Sequence, residues 1–70
     1  MITELKCFYD KRKSFYNKAF VETNGNNKKL YSYDTLVAEI KDDNFISYGD
    51  FSMTTRRHQR EFARQNGFIF

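Results

Sequence analysis

The run Asn24-Gly25-Asn26-Asn27 restricts the fold more than any other segment of the chain. Asn-Gly reaches the positive φ angles of a tight hairpin at little steric cost. Flanks joined by so short a reversal must pair antiparallel, because a parallel return needs a crossover of about a dozen residues or more. Before the turn, Phe15, Ala19 and Val21 alternate with Tyr16, Lys18 and Glu22, which predicts a strand over residues 14–23. After it, residues 28–32 form the returning strand. Tyr33-Asp34-Thr35 marks a second reversal, and Leu36 to Ile40 reads as a third strand with Leu36, Ala38 and Ile40 on one face. The polar turn Lys41-Asp42-Asp43-Asn44 leads to a fourth, Phe45 to Tyr48, closed by Gly49-Asp50. Residues 14–48 are thus expected to be a β-meander.

Beyond it the pattern changes to a helix over residues 53–66. Ser52 or Thr54 supplies an N-cap oxygen. Gly67 stands where a left-handed C′ residue is favoured, with Phe68 placed to pack back on Phe62 or Ala63. Residues 1–12 read as an N-terminal arm or a short helix, with Ile2, Leu5, Cys7 and Phe8 apolar and Thr3 as a cap. Lys11-Arg12-Lys13 reads as a solvated basic turn, and Phe68-Ile69-Phe70 as an apolar segment that docks on the sheet. The fold class is therefore α+β: one domain over residues 1–70, an antiparallel sheet of three to five strands with a C-terminal helix packed on it.

A chain of 70 residues has little core to build with. Its single cysteine, Cys7, closes no internal bridge, which points to a reducing compartment and to a small buried hydrophobe rather than a reactive thiol. Eight Phe and five Tyr supply the apolar area instead. No continuous apolar stretch marks a secretory signal, since Glu4, Lys6, Asp10 and Lys13 interrupt the first twenty or so residues. No segment approaches the ~20 apolar residues of a membrane span. A cytoplasmic protein without membrane contact is expected.

The net charge of +3 is unevenly placed. Residues 1–52 are balanced, and the whole excess lies in residues 53–70, where four Arg meet one Glu. On a helical wheel Arg56, Arg60, Arg64 and Arg57 fall at about 0°, 40°, 80° and 100°, with Phe62 near 240°. One face is thus expected to pack on the sheet while the other presents four planar, bidentate donors suited to phosphate or carboxylate. Arg56, Arg57, Arg60 and Arg64 are the candidate partner-binding residues, and Glu61 is the one acid near enough in sequence to neutralise them. A solvated helix face is the ordinary fate of such a charge run.

His58, near 200° on the wheel, reads as a partly buried imidazole bonded to backbone or a tyrosine hydroxyl. Metal spacing, a nucleophile paired with a base, a phosphate loop and a nucleotide fingerprint are all missing, so no catalytic residue, metal or cofactor is expected. Asp42-Asp43 reads as a solvated turn. Tyr9, Tyr16, Tyr31, Tyr33 and Tyr48 lie among Lys and Asn; stacking nucleobases is one use for them, and packing across strands is the favoured one, since residues 1–52 carry no net positive charge.

Three segments carry a resemblance: Ser14-Phe15-Tyr16-Asn17-Lys18-Ala19; Leu30-Tyr31-Ser32-Tyr33-Asp34-Thr35 with Val37-Ala38 and Ile40; and Ser52-Met53-Thr54-Thr55 with Arg57-His58, Glu61-Phe62 and Gln65-Asn66-Gly67. Over roughly residues 14–68 the chain resembles short proteins of unknown function found in phages, plasmids and chromosomes of AT-rich Gram-positive bacteria. The resemblance implies a mobile-element setting in a bacterial host cell, where small solitary proteins often inhibit host defence. The expected function is a non-enzymatic binding protein, foremost an anti-CRISPR inhibitor that binds a Cas effector such as Cas9 and blocks its guide or target path. The alternative is a small nucleic-acid-binding regulator that uses the Arg-rich helix. The basic charge argues against DNA mimicry, so an inhibitor of this kind would touch acidic protein surface or the RNA.

Overall fold

A computed structural model describes residues 1–49 and 51–70; Asp50, which closes the last turn in the sequence reading, lies outside them. Five strands form one antiparallel sheet in sequential order: β1 (Ile2–Glu4), β2 (Ala19–Asn24), β3 (Asn27–Ser32), β4 (Thr35–Lys41) and β5 (Asn44–Ser47). The helix α1 (Met53–Gln65) crosses one face over β3 and β4. The expected α+β architecture is present, with one strand more than the meander expected over residues 14–48.

The extra strand comes from the N-terminal segment, which is extended and not helical. Ile2, Thr3 and Glu4 pair with Glu22, Val21 and Phe20. Three residues do not hold a strand alone; β2 supplies the ladder. The strand expected over 14–23 begins late, at Ala19, because Tyr16 and Asn17 both take positive φ and the Lys18 amide closes a turn onto the Phe15 carbonyl at 3.0 Å.

The three hairpins from β2 to β5 each close through two residues. Asn24 pairs with Asn27, so the central pair is Gly25-Asn26, one position later than an Asn-Gly centre. Gly25 has φ +63° while Asn26 does not enter the left-handed region, as in a turn that needs glycine first. Tyr33-Asp34 and Asp42-Asp43 close the next two hairpins with positive φ at both positions. Asp tolerates this conformation; a bulky aromatic there is an outlier.

The register breaks once. Leu30 faces Ala38 but Tyr31 faces Leu36, so Val37 is an extra residue, a β-bulge. A one-residue slip turns a side chain to the other face of a sheet. Val37, Ala38 and Ile40 therefore point under the helix and are buried, whereas Leu36 joins Phe20 and Tyr31 on the far face, half-buried. The expectation that Leu36, Ala38 and Ile40 share one face fails at Leu36 for this reason.

The core comprises Leu5, Phe15, Ala19, Leu30, Val37, Ala38, Ile40 and Phe62, with Cys7, Val21, Phe45, Phe51 and Phe68 packed around it. Ser52 caps the helix by accepting from the Thr55 amide at 3.3 Å. At the other end the Phe68 amide donates to the Ala63 carbonyl at 2.9 Å and the Gly67 amide to Arg64 at 3.2 Å, with Gly67 at φ +84°. This is the two-bond glycine cap that the sequence indicated. Phe68 and Phe70 both meet Phe45, at ring centroids 5.8 and 5.4 Å, while Ile69 is exposed.

Candidate functional site

The buried stripe of α1 is mostly polar: Thr55, His58, Gln59 and Glu61 are sealed beside Phe62 and Ala63. A buried polar group that is not hydrogen-bonded is costly, and here each finds a partner, most of them outside the helix. Thr55 Oγ1 lies 3.1 Å from Ser32 Oγ on β3. His58 Nδ1 lies 2.8 Å from the same hydroxyl. Gln59 Nε2 donates at 2.8 Å to the carbonyl of the bulged Val37.

Glu61 does the most. Its carboxylate accepts three consecutive backbone amides, from Phe8 at 2.9 Å, Tyr9 at 3.0 Å and Asp10 at 2.7 Å, and Gln65 Nε2 donates to it as well. The residue expected to neutralise the arginines is thus spent on holding residues 8–10 against the flank of the helix. The neutralising acid is Asp10, delivered by that same loop: its Oδ1 stands 3.4 Å from Arg57 Nη1. The sequence pattern missed Glu61's part because its partners lie about fifty positions away.

With the loop fastened there, the four arginines are displayed as the wheel indicated. Arg56, Arg60 and Arg64 are exposed and Arg57 is half-exposed. Arg57, Arg60 and Arg64 line a groove of about 250 Å³ whose opposite wall is Tyr9, Asp10 and Lys11, with Glu61 between the two. Arg56 shares the exposed face but not the groove. The neighbouring Arg12 and Lys13 are exposed too. The basic run read as a solvated turn therefore extends the cationic face of the helix, and Lys11 is the residue that it contributes to the groove.

Two further sequence expectations are settled by placement. His58 is bonded to a serine hydroxyl, not to backbone or tyrosine, and is 1% exposed. Tyr31 and Tyr48 reach across strands to Glu22 and Glu39, whereas Tyr9, Tyr16 and Tyr33 are exposed. The Tyr48 hydroxyl is pushed up in pKa by its bond to the Glu39 carboxylate. The Cys7 thiol is pushed up as well, by burial first and then by Asp10 and Glu61, which keeps it protonated and weakly nucleophilic.

Ser32 and His58 stand at the distance of a nucleophile and its base, but Ser32 is 2% exposed and sealed under the helix. Burial, then the charge of Arg12, lowers the His58 pKa; Asp10 acts weakly in the other direction. The imidazole is neutral at pH 7. Assigning one donation to each hydroxyl runs Ser52 to Thr55 at 3.4 Å, Thr55 to Ser32, and Ser32 to His58 Nδ1. The ring proton then sits on Nε2, which is buried and has no hydrogen-bond partner among the described residues. A buried donor left in that state costs about 1–3 kcal/mol.

Among the described residues no cluster of three or more His, Cys, Asp or Glu is placed to hold a metal ion. No helix among them is long and apolar enough to cross a membrane. No curated protein and no solved structure matches the chain. Residues 3–69, nearly the whole sheet-and-helix unit, match the model of a family of unknown function, and the chain belongs to that family, DUF8033.

Proposed function

We propose that this chain is a non-enzymatic binding protein of the bacterial cytoplasm that holds single-stranded nucleic acid along the arginine face of its helix. The observation that carries the reading is the groove of Arg57, Arg60 and Arg64 against Lys11 and Tyr9, in which Glu61 is committed to backbone amides and, among the described residues, Asp10 alone offsets a guanidinium. Guanidiniums fixed on a helix suit phosphate oxygens, and the exposed rings of Phe8, Tyr9, Tyr16 and Tyr33 beside them suit unstacked bases. Duplex DNA offers phosphates but no free base faces, so the mixture favours a single strand.

A second reading is an anti-CRISPR inhibitor that seats on a Cas effector ribonucleoprotein such as Cas9. The row of Phe20, Tyr31 and Leu36 across the sheet face away from the helix favours it, because half-buried apolar and aromatic side chains of that kind serve protein contacts. In that case the arginine face would meet the guide RNA or an acidic protein patch.

Fluorescence anisotropy with labelled single-stranded RNA and DNA, duplex DNA, and purified Cas9 with its guide separates the two. On a single strand each neutralised phosphate contributes a log–log salt slope of about −0.7, so Arg56, Arg60 and Arg64 together give about −2. The double substitution Arg60→Glu and Arg64→Glu should abolish strand binding. Thermal stability should fall only slightly, by about 0.3–1 kcal/mol for Arg64 in the last helical turn. Full strand binding by the double variant refutes the site. Tight binding to the effector with no affinity for free strands favours the inhibitor.

A further inference from the structure

Next to the arginine groove, and sharing Arg57 with it, lies a second recess of about 150 Å³ between the start of α1 and the two turns at Phe15–Lys18 and Ser32–Thr35. At ~30 Å³ per water it holds about five waters, too little for a whole nucleotide and enough for one flat ring system. Its walls include the rings of Phe15, Tyr16 and Tyr33, and its inner wall is the buried His58. Three cations, Arg12, Lys18 and Arg57, also line it, and among the described residues no carboxylate does.

From the ring walls, the cationic lining and the unpartnered His58 Nε2, we propose that this recess binds one unstacked base of a nucleic-acid strand, with the adjoining phosphate held by the lining cations. The proposal rests on the strand-binding reading of the arginine face and adds to it the element that reads the base. Three independent observations meet here. His58 Nε2 is buried with no hydrogen-bond partner among the described residues; with the ring proton assigned to it by the hydroxyl chain, a base carbonyl oxygen is an acceptor of the right kind. Tyr16 and Tyr33 sit in turns with φ +53° and +50°, where Asn or Gly would be unstrained. Both rings remain 65% and 52% exposed, so neither is kept for the core. Tyr33 stands 6.0 Å from the His58 ring, and Lys18 Nζ lies 5.8 Å from the Tyr33 ring centroid.

Two measurements test this. The first compares a single-stranded oligonucleotide with a fully abasic strand of equal length and charge, on the parent and on Tyr33→Asn, which keeps the turn. Removing the ring should weaken binding about tenfold, the scale of one lost stack, and removing the bases by at least as much, with an unchanged salt slope. The second titrates ¹⁵N-histidine-labelled protein with uridine 5′-monophosphate and with ribose 5-phosphate. The nucleotide should shift His58 Nε2, and the sugar phosphate should leave it in place. Equal binding of the abasic strand, with no effect of Tyr33→Asn, overturns the base pocket while leaving the arginine face standing. Equal shifts from both titrants make the recess a phosphate site and also overturn it. If no oligonucleotide binds but the nucleotide still moves His58, the recess stands and the strand reading falls.

Discussion

Replacing Glu61 should release the N-terminal segment from the helix. Hydrogen bonds to a charged acceptor contribute about 1.5–3 kcal/mol each, and Glu61 accepts three from the backbone of residues 8–10. The full sum is not expected, because Phe8 and Tyr9 are exposed, and their amides find water once the segment lifts. A discount of about half leaves ~2–4 kcal/mol for Glu61→Ala. That is a large part of the ~4–10 kcal/mol expected for a domain of this length. Glu61→Gln keeps one carbonyl acceptor, loses the charge, and should fall between variant and parent. Urea unfolding followed by circular dichroism gives the global effect; with a slope near 1 kcal/mol per molar, the midpoint should drop by about 2 M or more in Glu61→Ala. Amide exchange reads the local effect at Phe8, Tyr9 and Asp10, whose protection should collapse. If those three amides stay protected in Glu61→Ala, or the midpoint hardly moves, the carboxylate is not what holds the segment.

His58 should make stability depend on pH. Its folded pKa is lowered by burial and by Arg12, so below about pH 6.5 the unfolded chain takes up a proton that the folded chain refuses, and stability falls by up to ~1.4 kcal/mol per pH unit until the folded pKa is passed. Urea midpoints at pH 7.5, 6.5 and 5.5 test the sign; a midpoint that rises on acidification contradicts it. Gln59→Ala removes a donor from the Val37 carbonyl, which keeps the Tyr48 amide at 3.0 Å, so a loss of about 1–2 kcal/mol is expected in thermal melts.

The parts of the fold legible in sequence are those governed by neighbours in sequence. Short polar connectors announce hairpins, and Ser52 and Gly67 bracket the helix through bonds that span three to five positions. What was not legible is decided by distant partners. Ile2–Glu4 becomes a strand because β2 offers an edge. Val37 bulges within a run whose alternation continues through it in sequence, so the pattern groups Leu36 with Ala38 and Ile40 until the pairing is known. The four arginines were legible because a helix has a fixed period, but the groove was not, since its second wall comes from residues 9–11. Glu61 looked like a counter-ion among arginines because nothing local reveals that its oxygens are taken by backbone amides.

The polar character of the buried stripe bears on how the arginines are aimed. A helix resting on a sheet by Phe62 and Ala63 alone would have many nearly equivalent rotations about its axis, since apolar contact is not directional. Thr55, His58, Gln59 and Glu61 remove that freedom. Turning the helix by one residue, about 100°, would tear the bonds to Ser32, to Val37 and to the loop amides together, and leave each group buried and unpaired. The same bonds bring the loop carrying Asp10 and Lys11 to the flank on which Arg57, Arg60 and Arg64 emerge. In so small a chain, directional bonds thus do what a larger apolar core does elsewhere. They fix one rotation of α1 and set its arginine face in register with the basic loop, so that the groove is formed before any partner arrives.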